Sequence, residues 1–164
     1  MYLVDSNVLI EAKNRYYAFD IAPGFWAWLD HAHKNSIACS IDPVRDELID
    51  GEDELAAWAQ GHRDFFRPID EATTANFGPL TTWTYSRPYT AAAVTEFLTN
   101  TADFYLVAYA RAHQHTLVTH EQSRPDSRKR VLIPDACQAL GVVYANPFVM
   151  LRAAQARLDL SVAA

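Results

Sequence analysis

Short apolar runs alternate along this chain with longer stretches in which apolar residues recur at helical spacing. Tyr2-Leu3-Val4 is the first run, closed by Asp5-Ser6-Asn7. It reads as a buried strand whose polar trio caps a helix over residues 8–13. After the Pro23-Gly24 turn, Phe25, Trp26, Leu29 and Ala32 line one face of a helix over 24–34. Residues 36–41 form a second apolar run. Asp42 then stands as a cap and Pro43 at the first position of a helix over 43–49. Residues 52–63 repeat the amphipathic pattern, and 65–69 are a weak strand because of Pro68. The Thr-rich stretch 70–88 reads as part helix, part mobile loop. Helices follow over 90–98 and, capped by Thr101, over 102–113. Strands are expected at 116–119, 131–133 and 142–144. Between the last two lies a helix over 135–140 ended by Gly141, and Asn146 caps a final helix over 148–157.

Strands alternating with helices imply βαβ units, an α/β fold and a parallel sheet. No repeat, linker or composition break divides the chain, so one domain over residues 1–164 is expected. Half of the 164 residues are hydrophobic and 21% charged, which excludes a disordered chain. No apolar run nears the ~20 residues of a membrane span, and the start lacks the pattern of a secretory signal. Two cysteines, Cys39 and Cys137, suit two buried thiols in a reducing compartment. A cytoplasmic protein is expected. The five glycines form none of the phosphate-cradling or nucleophile-elbow patterns.

The net charge of −6, from 14 basic and 20 acidic residues, argues at first against a polyanion as partner. The placement of the acids changes that picture. Ligands of parallel sheets gather beyond the carboxyl ends of the strands. Asp5 directly follows the first strand, Glu47 lies a turn beyond the second, Asp103 opens the long helix, and Glu121 follows Thr119. Singly, Asp5 and Asp103 also fit as helix N-terminal acids, each worth ~0.3–1 kcal/mol. Together, four close carboxylates repel by roughly a few kcal/mol per pair unless a cation sits among them. All-oxygen ligands favour Mg²⁺ or Mn²⁺, which recruit phosphates and acidify water. With those acids neutralised, the remaining surface is only mildly acidic.

Tyr2-Leu3-Val4-Asp5-Ser6-Asn7-Val8-Leu9-Ile10 resembles the opening motif of the PIN-domain nucleases. Ala102-Asp103, Leu106-Val107-Ala108-Tyr109-Ala110 and Leu117-Val118-Thr119-His120-Glu121 resemble their central helix and fourth-acid motif. The layout is similar to VapC-like toxins. Gly24-Phe25-Trp26-Ala27-Trp28-Leu29 and Ile133-Pro134-Asp135-Ala136-Cys137 look like a less-studied prokaryotic PIN-like branch. The resemblance implies a three-layer α/β/α fold with a central parallel sheet. It implies a metal-dependent endoribonuclease that leaves a 5′-phosphate and a 3′-hydroxyl, in which Asp5, Glu47, Asp103 and Glu121 ligate one or two Mg²⁺ or Mn²⁺ ions. Asn7 and Thr119 match polar positions of that site and would orient a ligand or water. The family's fourth acid is usually Asp, and here it is the longer Glu121, with Asp135 as a nearby substitute. A toxin would also have a cognate antitoxin.

Arg124, Arg128, Lys129 and Arg130 follow the last of these acids and are candidate RNA phosphate contacts. Trp83, Tyr85 and Tyr89 are candidates for stacking bases or for the core. The aromatic segment Tyr16, Tyr17, Phe19, Phe25, Trp26 and Trp28 could form an antitoxin groove or homodimer surface, or pack internally. The His31/His33 and His113/His115 pairs do not suit zinc, since helix positions two apart diverge. Two other readings stand beside the ribonuclease: an inactive scaffold binding RNA or protein, and a metal-dependent deoxyribonuclease.

Overall fold

A computed structural model describes residues 1–159 of the chain; the last five residues of the expected 1–164 domain lie outside them. Five strands make one parallel sheet in the order β3-β2-β1-β4-β5. They are β1 (Tyr2–Val4), β2 (Ala38–Ile41), β3 (Phe66–Arg67), β4 (Thr116–Val118) and β5 (Tyr144–Ala145). Helices flank the sheet in a three-layer α/β/α arrangement, as the resemblance implied. Leu3, Val4, Cys39, Ile41, Leu117 and Val118 are fully buried, which explains why their strands read as uninterrupted apolar runs. No helix among the described residues is long and apolar enough to cross a membrane.

β1 lies at the centre, in register with β2 (Leu3 opposite Cys39) and β4 (Leu3 opposite Leu117, Val4 opposite Val118). The chain fills β2 and β3 on one side of β1, then crosses to β4 and β5 on the other. The order therefore reverses between β1 and β4, where a parallel sheet opens a crevice.

The helices are α1 (Ser6–Glu11), α2 (Pro23–Lys34), α3 (Asp42–Ile49), α4 (Glu54–Gly61), α5 (Glu71–Thr74), α6 (Phe77–Ser86), α7 (Ala91–Thr95), α8 (Asp103–His113), α9 (Ile133–Leu140) and α10 (Pro147–Ala153). Local chemistry sets many of their ends. Asp53, Asp70, Thr90 and Asn146 each accept a first-turn amide, and Gly141 ends α9 at φ 69°. α8 packs against α5, α6 and α9, while α3 packs against α1 and α4.

Several expectations need correction. Residues 131–133 are not a strand: the Ile133 amide donates to the Glu121 carboxylate at 2.8 Å and opens α9, so it is lost to any ladder. The last strand is displaced to Tyr144–Ala145, and α10 stops at Ala153. Asp42 is not a cap but the first residue of α3, after Ile41. Thr101 does not cap α8. The neighbouring Ala102 amide is taken by Glu47 Oε1 at 2.6 Å, and the buried Thr101 hydroxyl has no hydrogen-bond partner among the described residues. The stretch 70–88 is largely helical in α5 and α6, with Thr73, Leu80 and Thr84 buried. Thr73, Thr74 and Thr84 are absorbed by local bonds, such as Thr84 Oγ1 to Leu80 O at 2.9 Å.

Candidate active site at the sheet switch point

Strand pairing carries directly into the site. Past the end of β1, the Asp5 amide donates to Val118 O at 3.1 Å; past the end of β4, the Thr119 amide donates to Ala145 O at 3.0 Å. Asp5 and Thr119 are thus held by the ladder at the lip of the crevice. Their side chains meet there: Thr119 Oγ1 donates to Asp5 Oδ2 at 2.9 Å. Asp5 is completely buried and caps α1, accepting from the Asn7 amide at 3.5 Å and the Ser6 hydroxyl at 3.3 Å. Thr119 Oγ1 also accepts from the Glu121 amide at 3.1 Å. One hydroxyl therefore fixes two of the acids.

Asp103 sits in the first turn of α8, only 7% exposed. Burial pushes its carboxyl up to about 8, with the charges of Asp5, Glu121 and Glu47 adding in that order and Arg130 opposing them. Burial likewise pushes Asp5 up to about 6, with Glu121 and Glu47 raising it further against the bonds from Thr119 and Asn7. The helix N-terminus would favour an ionised Asp103, so desolvation and repulsion win. Glu47 reaches across from α3 to the Ala102 amide and ties α3 to the start of α8. Glu121 accepts from Ile133 N through Oε2 and pairs with Arg130 Nη2 through Oε1.

The four acids predicted from the sequence thus act on one another at one edge of the sheet. Asn7 contributes its backbone amide. Asp135 does not join them: its buried carboxylate accepts from Ser123 Oγ at 2.5 Å and from the Arg124 amide at 3.1 Å, fastening the basic loop to α9. That loop is pinned further by Thr90 N to Arg128 O and by Ser127 Oγ to Arg130 O. Of its cations, Arg130 pairs with Glu121, and Arg124 lines the same depression as Glu121. Lys129 lies with Arg130 along a small cleft that includes Asp103. Arg128 is exposed, with no side-chain contact to the acids among the described residues.

The donor set is all carboxylate, which suits a hard dication better than zinc. Among the described residues, no three His, Cys, Asp or Glu side chains already close around one point. Asp5 and Asp103 are the two whose raised carboxyls would gain most from a nearby cation.

The aromatic segment packs mostly on itself, with Tyr17 on Phe25 (centroids 4.4 Å) and Phe19 on Trp26 (3.9 Å). Trp83 and Tyr89 meet edge to face at 6.1 Å, and Tyr85 is exposed. Both cysteines are free and buried, their thiols pushed up by burial to about 11 and about 12. Two site features escaped the sequence reading. One is the Arg130–Glu121 pair, in which a basic residue anticipated for phosphate instead holds an acid. The other is Tyr16 against His120, which a helical register read from α1 would not foresee.

A family profile described as a domain of unknown function (DUF4411) matches residues 2–158. The chain belongs to the DUF4411 family. No curated protein matches the sequence of this DUF4411 chain. Among solved structures it is similar to VapBC2 from Rickettsia felis bound to a DNA fragment from the promoter, with TM-score 0.55 and 16% identity over 88% of this chain and 97% of that one. It is also similar to FitAB bound to an IR36 DNA fragment, with TM-score 0.54 and 19% identity over 90% and 96%. The DUF4411 chain thus has the PIN-like three-layer fold.

Proposed function

We propose that this protein is a divalent-metal-dependent endoribonuclease and the toxin of a toxin–antitoxin pair. One observation carries the reading: Asp5 and Asp103, from separate elements, are buried at the β1/β4 switch point with carboxyls pushed up to about 6 and about 8, and Glu47 and Glu121 add to both. Buried acids that repel one another are stabilised by a cation beside them, and this supports the reading. Mg²⁺ or Mn²⁺, one ion or two, would be held by Asp5 and Asp103, with Glu47 and Glu121 directly or through water. The ion would supply Lewis acidity toward a phosphoryl oxygen and acidify a water for in-line attack. Thr119 orients Asp5, Glu47 locks the start of α8 in place, and Arg124 and Arg130 offer guanidinium groups to flanking phosphates.

RNA as substrate rests on the sequence resemblance, as does the antitoxin, to which the likeness to VapBC2 and FitAB adds. A homodimer and a cytoplasmic setting belong to the same proposal. The test is cleavage of matched RNA and DNA oligomers with and without Mn²⁺, with Asp5→Asn as control. RNA cleavage that needs Mn²⁺ and disappears in Asp5→Asn is expected. Cleavage of DNA alone would make the protein a deoxyribonuclease.

The scaffold reading has one observation behind it, the engagement of Glu121 by Arg130 and the Ile133 amide. Calorimetric titration with Mn²⁺ separates the two. Absence of binding at millimolar metal, with no cleavage, would favour the scaffold.

A further inference from the structure

Tyr16 departs from the packing of its neighbours. Tyr17, Phe19, Phe25 and Trp26 face one another inward, whereas Tyr16 is 49% exposed. It ends a five-residue π-helical segment, Ala12–Tyr16, that continues α1 from its Asp5 cap. Such wide turns shift the register of side chains and recur at functional sites. The ring lies over the His120 imidazole, with centroids 5.7 Å apart and planes 27° from parallel. Phe148, 37% exposed at the start of α10, stands edge-on to Tyr16 at 5.8 Å and to His120 at 6.4 Å. Three segments distant in sequence thus build one solvent-facing aromatic cluster.

Its position is specific. His120 lies between Thr119, which holds Asp5, and Glu121. The imidazole also forms one wall of a depression of about 470 Å³ that Glu121, Arg124 and Arg130 line. A chain crossing the acids would therefore meet flat rings and guanidinium groups side by side. That combination suits single-stranded nucleic acid, whose bases stack while its phosphates pair. A purely apolar partner would leave Arg124 without matching charge, and Arg130 has only Glu121.

We propose that Tyr16, His120 and Phe148 form a stacking subsite for one unpaired nucleobase of an RNA strand whose phosphates lie along Arg124 and Arg130. The subsite rests on the nuclease reading and deepens it by naming how the strand is gripped.

The test uses fluorescence anisotropy with a labelled single-stranded RNA octamer, all proteins carrying Asp5→Asn to prevent cleavage. A set of octamers with one abasic nucleotide at each position is titrated in parallel. Tyr16→Leu, which keeps bulk without a ring, should weaken binding of the intact octamer about tenfold. Tyr16→Trp should preserve binding, which shows that the fold tolerates change there. One abasic position should weaken the parent by a similar factor, and Tyr16→Leu should add little to that loss, as expected of two changes removing one contact. Equal binding by Tyr16→Leu and the parent would overturn the subsite while leaving the nuclease reading in place. So would a loss that is the same for every abasic octamer. No RNA binding by the parent would remove both readings together.

Discussion

Thr119 and Asp5 meet through a 2.9 Å hydrogen bond across the β1/β4 boundary, and the same threonine hydroxyl accepts the Glu121 amide. The bond joins residues 114 positions apart in the chain. It makes Thr119 a positioning residue, since its hydroxyl aims one acid and sets the backbone of another. Thr119→Val keeps the shape and removes the hydroxyl. Supporting partners of metal ligands typically account for about 10- to 100-fold in affinity or activity. RNA cleavage should fall by that order, with Thr119→Ser restoring most of it. A Thr119→Val protein that melts like the parent and cleaves at the same rate would show that the hydroxyl has no part in the site.

Stability should depend on pH in a direction opposite to that of most carboxylate-bearing proteins. Asp5 and Asp103 have carboxyls raised from 3.8 to about 6 and about 8. Between those values the unfolded chain has released protons that the folded chain keeps. Folding is therefore favoured at the acid end of the window and weakens as pH climbs toward 8. The loss is on the order of a few kcal/mol. Denaturation in chelator at pH 5 and pH 8 measures it, and Asp103→Asn should flatten the difference. Saturating Mn²⁺ should restore stability at pH 8, because only the folded state gathers the acids.

Arg130 is the cation that the acid cluster already has, paired to Glu121 and opposing the rise of Asp103. Removing it leaves the acids hungrier for an ion and the RNA short of one charge. Arg130→Gln should therefore tighten Mn²⁺ binding several-fold by calorimetry. It should also weaken RNA binding and lower the salt slope by about one. If both affinities move in the same direction, the guanidinium does not divide its role in this way.

Asp135 anchors the basic loop and stays apart from the four acids. Asp135→Ala strands the Ser123 hydroxyl and the Arg124 amide, costing about 1–3 kcal/mol. RNA affinity should drop with the loosened loop while Mn²⁺ affinity holds. A fall in Mn²⁺ affinity comparable to that of Asp103→Asn would place Asp135 in the metal site after all.

Much of this organisation is legible in the linear pattern. The apolar runs at Tyr2–Val4, Ala38–Ile41 and Thr116–Val118 mark the central strands because a sheet buried on both faces needs no polar alternation. Asp5, Glu47 and Glu121 stand out because α/β order sends residues after strands to one edge, and Asp103 because it opens the long helix in a segment resembling the PIN-domain central helix. Other features were hidden for physical reasons. The run Val131-Leu132-Ile133 is as buried as a strand, yet Val131 and Leu132 stay irregular and Ile133 opens α9, with Pro134 in its first turn and its amide bonded to Glu121. Thr101 looks like a cap until Glu47, from another helix, takes the adjacent amide.

The chain's own order of apolar and polar residues determined the parallel sheet, those helix ends that are capped locally, such as at Asp5, Asp53, Asn146 and Gly141, and which acids follow strands, since these depend on neighbours within a few positions. Tertiary structure alone decided which partner each acid took: Thr119 for Asp5, the Ala102 amide for Glu47, Arg130 and Ile133 for Glu121, and the basic loop for Asp135. It also decided how far burial and mutual repulsion raise Asp5 and Asp103. Hydrogen bonds and electric fields act over a few ångströms of space whatever the separation along the chain, so folding had to choose them.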